Sequence, residues 1–238
     1  MSHPFSPKLD AFGNFEIHYA EVNDYENNCY VIVDVHSGQT LIVDAADNAP
    51  AIYELVQIAD RRAAENGEPQ VEVIGVLTTH RHQDHWQALQ EVKTRLAVTS
   101  FASHEDAPDI PGTTEHKLSD GSAIELGDHS VGVIGLRGHT ACSLALSLEA
   151  PGHPVRLITG DALFPGGIGN TFGDSDAYAL LLGDVVERIF REFADDTIFY
   201  PGHGLPSTLG RERGFLNEWR LTGGLPPVDP KNDAYRWG

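Results

Sequence analysis

The sequence predicts an α/β fold in which strands are numerous and do not alternate strictly with helices. Two observations carry that expectation. Runs rich in β-branched residues recur along the chain, several ending abruptly in Asp, His or Gly, and only two segments stand out with a helical hydrophobic period. With 238 residues, 41% of them hydrophobic, the chain can bury a core without disulfides. One domain over 1–238 is expected, with its core at about 15–221 and an irregular tail over 225–238.

Taken in order, strands are expected at NFEIHYAEV, NCYVIVDV and TLIVDA. A helix follows, because Ile52, Val56, Ala59 and Ala63 share a face, with Asn48 placed to cap its start and Gly67 its end. VEVIGVLTT (71–79) reads as a buried strand running into a turn, and KLSDGSAIELGDHSVGVIGL (117–136) as an antiparallel meander. VRLITG (155–160) and TIFYPG (197–202) are further buried strands. Between them, Tyr178, Leu182, Val185, Ile189 and Phe193 form one helical stripe, capped by Asp174 or Ser175. Strand groups followed by a helix occur in both halves, a hint of duplicated architecture.

Acidic residues outnumber basic ones by 35 to 16, and the net charge of −19 opposes a phosphate-backbone partner. No apolar run is long enough to span a bilayer or act as a signal peptide, so neither a nucleic-acid nor a membrane partner is expected. Cys29 and Cys142 are too few for a disulfide framework and suit a reducing cytoplasm as small buried apolar groups.

The densest chemistry lies in TTHRHQDHW (78–86). Side chains alternate along an extended segment, so His80 and His82 can grip one cation while Arg81 points elsewhere. A turn at Gln83 would present Asp84 and His85 to a second cation. His139 in RGHTACS, Asp161 in TGDALF and His203 in YPGHG each follow an expected strand and lie next to or near glycine, which permits a tight turn. Such a set of imidazoles and carboxylates suits a borderline metal such as zinc, and Asp161 has two oxygens with which to bridge a pair of ions. The remaining histidines, His3, His18, His36, His104, His116, His129 and His153, are expected at the surface.

The run His80, His82, Asp84, His85, then His139, Asp161 and His203, resembles the HxHxDH signature and later ligands of the metallo-β-lactamase superfamily, over about residues 15–221. That resemblance implies an αββα sandwich of two mixed β-sheets flanked by helices. GDALFPGGIGNT and PGHGLPSTLGRER are similar to the short, single-domain bacterial relatives of glyoxalase II. It further implies His80, His82 and His139 on a first metal, Asp84, His85 and His203 on a second, and Asp161 between them. Two divalent ions are implied, zinc foremost, with iron or manganese as alternatives. Those relatives usually carry arginine where Asn170 stands, and the helical carboxy-terminal domain of larger glyoxalase II enzymes has no counterpart here, which implies weak discrimination for glutathione. The superfamily's β-lactamases lack an aspartate at the position of Asp161, its nucleases carry an inserted domain, and its flavodiiron branch has glutamate where His82 stands.

Water on such cations has a pKa near about 7, and Asp84 is the residue expected to orient it catalytically. A thiol with a pKa of about 8.5 departs without a general acid, so the expected reaction is hydrolysis of a small-molecule thioester, as in hydroxyacylglutathione hydrolases. Tyr19, Tyr30 and Lys117 are the candidate acids if one is needed. The alternatives are a persulfide dioxygenase with one iron on His80, His139 and Asp161, a lactone or ester hydrolase of the same fold, and a metal-stabilised binding protein without turnover. Structural zinc sites are closed tetrahedra, so a set of this size argues against the last.

Overall fold

The structure, a computed structural model, describes residues 5–225. Its layering can be read from the segment Asn28–Asp34, in which all seven residues are buried. Period-two geometry sends Tyr30 and Ile32 to one face and Cys29, Val31 and Val33 to the other. A strand apolar on both faces must be covered on both. Here one face meets a second sheet and the other meets helices.

The first sheet has seven strands in chain order: β1 (Lys8–Phe12), β2 (Phe15–Glu21), β3 (Asn28–Asp34), β4 (Gln39–Val43), β5 (Glu72–Leu77), β6 (Thr99–Ser103) and β7 (His116–Leu118). Pairing is antiparallel from β1 to β4 and parallel from β4 to β7. The second sheet draws on β8 (Ala123–Leu126), β9 (His129–Leu136), β10 (Ser143–Leu148), β11 (Arg156–Gly160), β14 (Ile198–Pro201) and β15 (Ser207–Thr208). Its order is β15-β14-β11-β10-β9-β8, with only β11 and β14 parallel. The short β12 (Leu163–Phe164) and β13 (Gly167–Ile168) form a ribbon beside it.

Between the sheets, Ile17, Tyr30 and Leu41 share a core with Leu144, Leu146, Ile158 and Tyr200. Helices α1 (Ala49–Asn66) and α2 (Leu89–Leu96) cover the outer face of the first sheet through Ile52, Leu55, Leu89 and Val92. On the second sheet, α3 (Ser175–Val185), α4 (Leu209–Arg213) and α5 (Leu216–Thr222) contribute Leu181, Leu182, Leu209 and Leu216. The result is the αββα sandwich. Among the described residues no helix is long and apolar enough to cross a membrane.

Helix α1 has the expected caps: the Asn48 side chain accepts from Ala51 N, and Gly67 takes φ 72° while its N–H reaches back to the last turn. For α3 the cap is Asp174, which accepts from the N–H groups of Asp176 and Ala177. The helical stripe does not continue regularly to Phe193. A π turn at Val186–Phe190, with Arg191 N–H bonded to Val186 O, widens the helix and leaves Phe193 half-buried. The 117–136 segment also departs from a single meander. Lys117 and Leu118 pair with Ala102 and Ser103 in the first sheet, and a turn at 119–122 carries the chain to the β8–β9 hairpin.

Two histidines correct the expectation of surface placement. His18 is buried against Glu16, its Nε2 2.9 Å from Oε2, under the Arg62 side chain of α1. His129 is half-buried and places Nδ1 2.5 Å from Asp34 Oδ2, tying the β8–β9 hairpin to the end of β3. His36, His104, His116 and His153 are exposed, and His3 lies outside the described residues, as does the expected tail beyond 225. Cys29 and Cys142 are buried free thiols, and burial pushes both pKa values up.

Helix α2 was not legible as a stripe because its buried face includes Lys93. The Lys93 ammonium donates to Ser100 Oγ at 2.9 Å, to Thr113 O at 2.6 Å and to Glu115 Oε2 at 2.8 Å. Burial raises the Glu115 pKa, but hydrogen bonds from Lys93 and Ser100 outweigh it and bring the value from 4.5 to about 2. A depressed carboxylate pKa adds stability above the unfolded value that is lost as pH falls toward the folded one. Glu115→Gln should therefore cost about 1–2 kcal/mol at neutral pH, reduced because the Glu115 side chain is partly solvated. Urea unfolding from about pH 7 to about pH 3 should show the gap to the unsubstituted protein narrowing. A gap independent of pH would refute this role for the pair.

Candidate metal centre

Four strand exits converge at one end of the sandwich. β5 runs into Thr78, Thr79 and His80, and after the extended His82 a single 3₁₀ turn, Gln83–His85, presents Asp84 and His85. β9 leads to His139, β11 to Asp161 and β14 to His203. Gly202 is required by closeness of approach: a Cβ there would lie 2.1 Å from Asp161 Oδ1 and 2.7 Å from His85 Cε1. All seven residues singled out from the sequence come together in this cluster.

Outer hydrogen bonds set the inward atoms. His85 Nδ1–H donates to Asp44 Oδ2, His139 Nδ1–H to Asn170 O and His203 Nδ1–H to Tyr25 O, each at 2.8 Å. Thr79 Oγ1 donates to Asp44 Oδ2, so its oxygen is free to accept from His80 Nδ1 at 3.1 Å. Four rings thereby turn Nε2 inward, toward the place an ion would take. His82 instead turns Nδ1 inward, 3.0 Å from His80 Nε2. His80 Nε2 and His139 Nε2 lie 3.3 Å apart, two acceptors facing each other.

Ligand atoms about 2.1 Å from one zinc-sized ion lie roughly 3–3.5 Å from one another, which is the spacing found here. His80, His82 and His139 form one group, Asp84, His85 and His203 another, and His80, His85 and Asp161 a third that links them, with all donor atoms of a group within 4.8 Å. Asp161 stands between the first two. Its Oδ1 is 3.4 Å from His85 Nε2, and its Oδ2 is 3.8 Å from His139 Nε2 and 3.5 Å from His203 Nε2. His85 Nε2 and Asp161 Oδ1 are buried without hydrogen-bond partners. Each such orphan costs about 1–3 kcal/mol, a cost that a shared cation removes. The residues present therefore fit a pair of divalent cations.

Charge is arranged to match. Burial lowers the pKa values of His80, His82 and His139, favouring neutral imidazole with an open lone pair. Burial raises Asp161, yet the surrounding histidines hold it well below the usual carboxylate range, and the His203 contact does the same for Asp84. For His85 and His203 burial acts downward, and the facing carboxylates more than offset it, raising His203 to about 10, so that without an ion these two rings carry on Nε2 a proton that a cation between them and the carboxylates would replace.

Two supporting residues escaped sequence reasoning. Asp44 is fully buried at φ 57° and accepts from Thr79 N at 2.7 Å as well as from Thr79 Oγ1 and His85 Nδ1, fixing the His85 tautomer. Its signal was present in TLIVDA, an apolar strand ending in aspartate like the one before Asp161. Asn27 places Nδ2 3.1 Å from Asp84 Oδ2 and 3.2 Å from His203 Nε2, and no motif marks it. Of the three candidate acids, Tyr30 donates its hydroxyl proton to Pro201 O, Tyr19 packs in the inter-sheet core and Lys117 is exposed on β7.

Fold and site together define a β-sandwich protein with a paired His/Asp cluster at its strand ends that fits metal ions. The chain belongs to the metallo-beta-lactamase superfamily, whose family model matches residues 22–208. That superfamily is generally one of metal-dependent hydrolases with a dimetal site. The hydroxyacylglutathione hydrolase of Fuscovulum blasticum is 28% identical over 214 residues, covering 84% of this chain and 77% of that protein. Among solved structures, the BLEG-1 B3 metallo-beta-lactamase superposes with a TM-score of 0.65 at 19% identity, covering 82% of this chain and 95% of that one. TTHA1623 in a di-iron-bound form gives 0.62 at 22% identity, covering 81% and 95%. At these identities the two structures bear on the fold alone.

His203→Ala should reduce metal content from about two ions per chain to about one, and His80→Ala should empty the other position, as read by elemental analysis. Loss of both ions in each variant would contradict the division into two groups. Gly202→Ala should lower occupancy without touching a ligand atom, because its Cβ displaces Asp161 or His85. Unchanged metal content in that variant would show that the close approach is not needed.

Proposed function

We propose that the protein hydrolyses a small-molecule thioester, in the manner of the hydroxyacylglutathione hydrolases to which it is similar. One observation carries the reading: two ligand groups share Asp161, while none of Tyr19, Tyr30 and Lys117 offers the cluster a proton. When bound, two divalent cations would supply Lewis acidity, lowering the pKa of water and polarising a carbonyl. His80, His82 and His139 would hold one, Asp84, His85 and His203 the other, and Asp161 both. Imidazole-rich sites of this kind suit zinc first and iron second.

Asp84 is the more solvent-facing carboxylate, 37% exposed against 13% for Asp161, and Asn27 steadies its Oδ2. It is therefore the group in position to accept a hydrogen bond from an incoming water and orient it. A thiolate with a parent pKa of about 8.5 departs without being protonated, whereas an alkoxide needs an acid. Thioesters match what these residues supply.

The mouth bears on the carrier. The Phe172 ring, 71% exposed, lies edge-on to His82 at 5.7 Å and stacks on His139 at 6.3 Å, and Phe164 lies 6.4 Å from His203. Phe172 sits at φ 56°, a strained position for a residue with a Cβ. Asn170 Oδ1 accepts its N–H at 2.7 Å, so the Asn170 side chain is committed to the loop instead of to an anionic carrier. These features favour neutral thiols at least as much as glutathione.

At neutral pH, kcat/KM for a thioester should exceed that for the matched oxygen ester by about 100-fold or more, and chelation should abolish both. Exchanging glutathione for a small neutral thiol should change kcat/KM by less than about tenfold, while Phe172→Ala should raise KM by about tenfold with little effect on kcat. A preference for oxygen esters, or oxygen consumption with a persulfide, would overturn the thioesterase reading.

A further inference from the structure

Behind the first ligand group lies a buried carboxylate that the ligand set does not use. Asp106 follows β6 and is wholly enclosed. Its Oδ2 accepts from Arg81 N at 3.1 Å, the peptide amide between His80 and His82. Its Oδ1 is buried without a hydrogen bond of ordinary length. Burial raises the Asp106 pKa, and the Thr140 hydroxyl, the Arg81 N–H and the Cys142 N–H act against it by favouring the ionised form. Thr140 directly follows His139.

Asp106 is itself firmly placed. Its N–H donates to Ser103 Oγ at 3.0 Å, its carbonyl accepts from Asp109 N at 3.0 Å, and Asp109 in turn pairs with the Arg81 guanidinium at 2.6 Å. A carboxylate this deeply enclosed is costly unless donors point at it: Arg81 N of one ligand loop hydrogen-bonds it, and Thr140 and Cys142 of the other lie near enough to favour its ionised form. Those loops leave different sheets, the His80–His82 loop from β5 and the His139 loop from β9. Close by, Leu144 N at the start of β10 donates to Thr79 O at 2.8 Å, joining the same two sheets. The second ligand group has other supports, Asp44 behind His85 and Asn27 beside Asp84 and His203.

We propose that Asp106 is a positioning residue that holds the His80–His82 loop and the His139 loop at the separation the first cation needs. It touches no ligand nitrogen and acts through the peptide between two ligands and the residue after a third. The inference rests on the division of ligands proposed above and is independent of the thioesterase reading, because its test measures ion binding.

The full-length protein, stripped of metal, is titrated with Zn²⁺ against a chromophoric chelator in two backgrounds. His203→Ala leaves the first group intact, and His82→Ala leaves the second. Adding Asp106→Ala should weaken binding about 10–100-fold in the His203→Ala background and less than about twofold in the other. Asp106→Asn, whose side-chain oxygen can still accept from Arg81 N, should recover much of the loss. Equal weakening in both backgrounds would overturn the proposal, as would unchanged affinity in both with only a lower melting temperature of the metal-free protein. If Asp106→Ala does not fold, Asp106→Ser, too short to reach Arg81 N, is titrated in its place and decides by the same comparison: weakening confined to the His203→Ala background supports the proposal, and equal or no weakening overturns it.

Discussion

Every inward nitrogen but one in the centre is set by a hydrogen bond made on the far side of its ring. Asp44, Thr79, Asn170 O and Tyr25 O occupy the Nδ1 atoms of His85, His80, His139 and His203, so each Nε2 faces the middle. Lone pairs crowded at about 3 Å repel, and the cluster would relax if those outer contacts did not hold the rings. The rest of the molecule can be understood as the means of placing four outer acceptors.

That placement depends on covering both faces of each sheet. β3, β4 and β5 are buried between α1 and α2 on one side and the second sheet on the other, which fixes where β4 ends at Asp44 and β5 at the loop before His80. The second sheet is fixed in the same way between the first sheet and α3, so β9, β11 and β14 deliver their ligands to the same rim. Tight glycine approaches, as at Gly202, convert strand ends into ligand positions without room for adjustment.

The seven clustered residues were legible because their pattern is local. HRHQDH packs four of them into six positions, and the other three each follow an apolar strand near glycine. Asp44 shared that signature, but a lone aspartate after a strand is common, and its value appears only when Thr79 and His85 are seen 35 and 41 residues away. Asn27 and Asp106 depend entirely on folding for their partners. His18 and His129 were misread because a histidine paired with a carboxylate in a sheet leaves no mark of its own in composition. Helix α2 and the π turn after α3 were obscured for a related reason, since one hides a lysine in its buried face and the other breaks the 3.6-residue period.

The two sheets come from successive stretches of chain, residues 8–118 and 123–208. His80 and His82 come from the first stretch and His139 from the second; Asp84 and His85 come from the first and His203 from the second. Asp161 also belongs to the second. Neither stretch carries a complete group, so each cation would act as a clasp across the seam between the halves. Ion affinity would then contain the free energy of docking one half on the other, and anything that loosens the seam would be felt first as a weaker grip on metal.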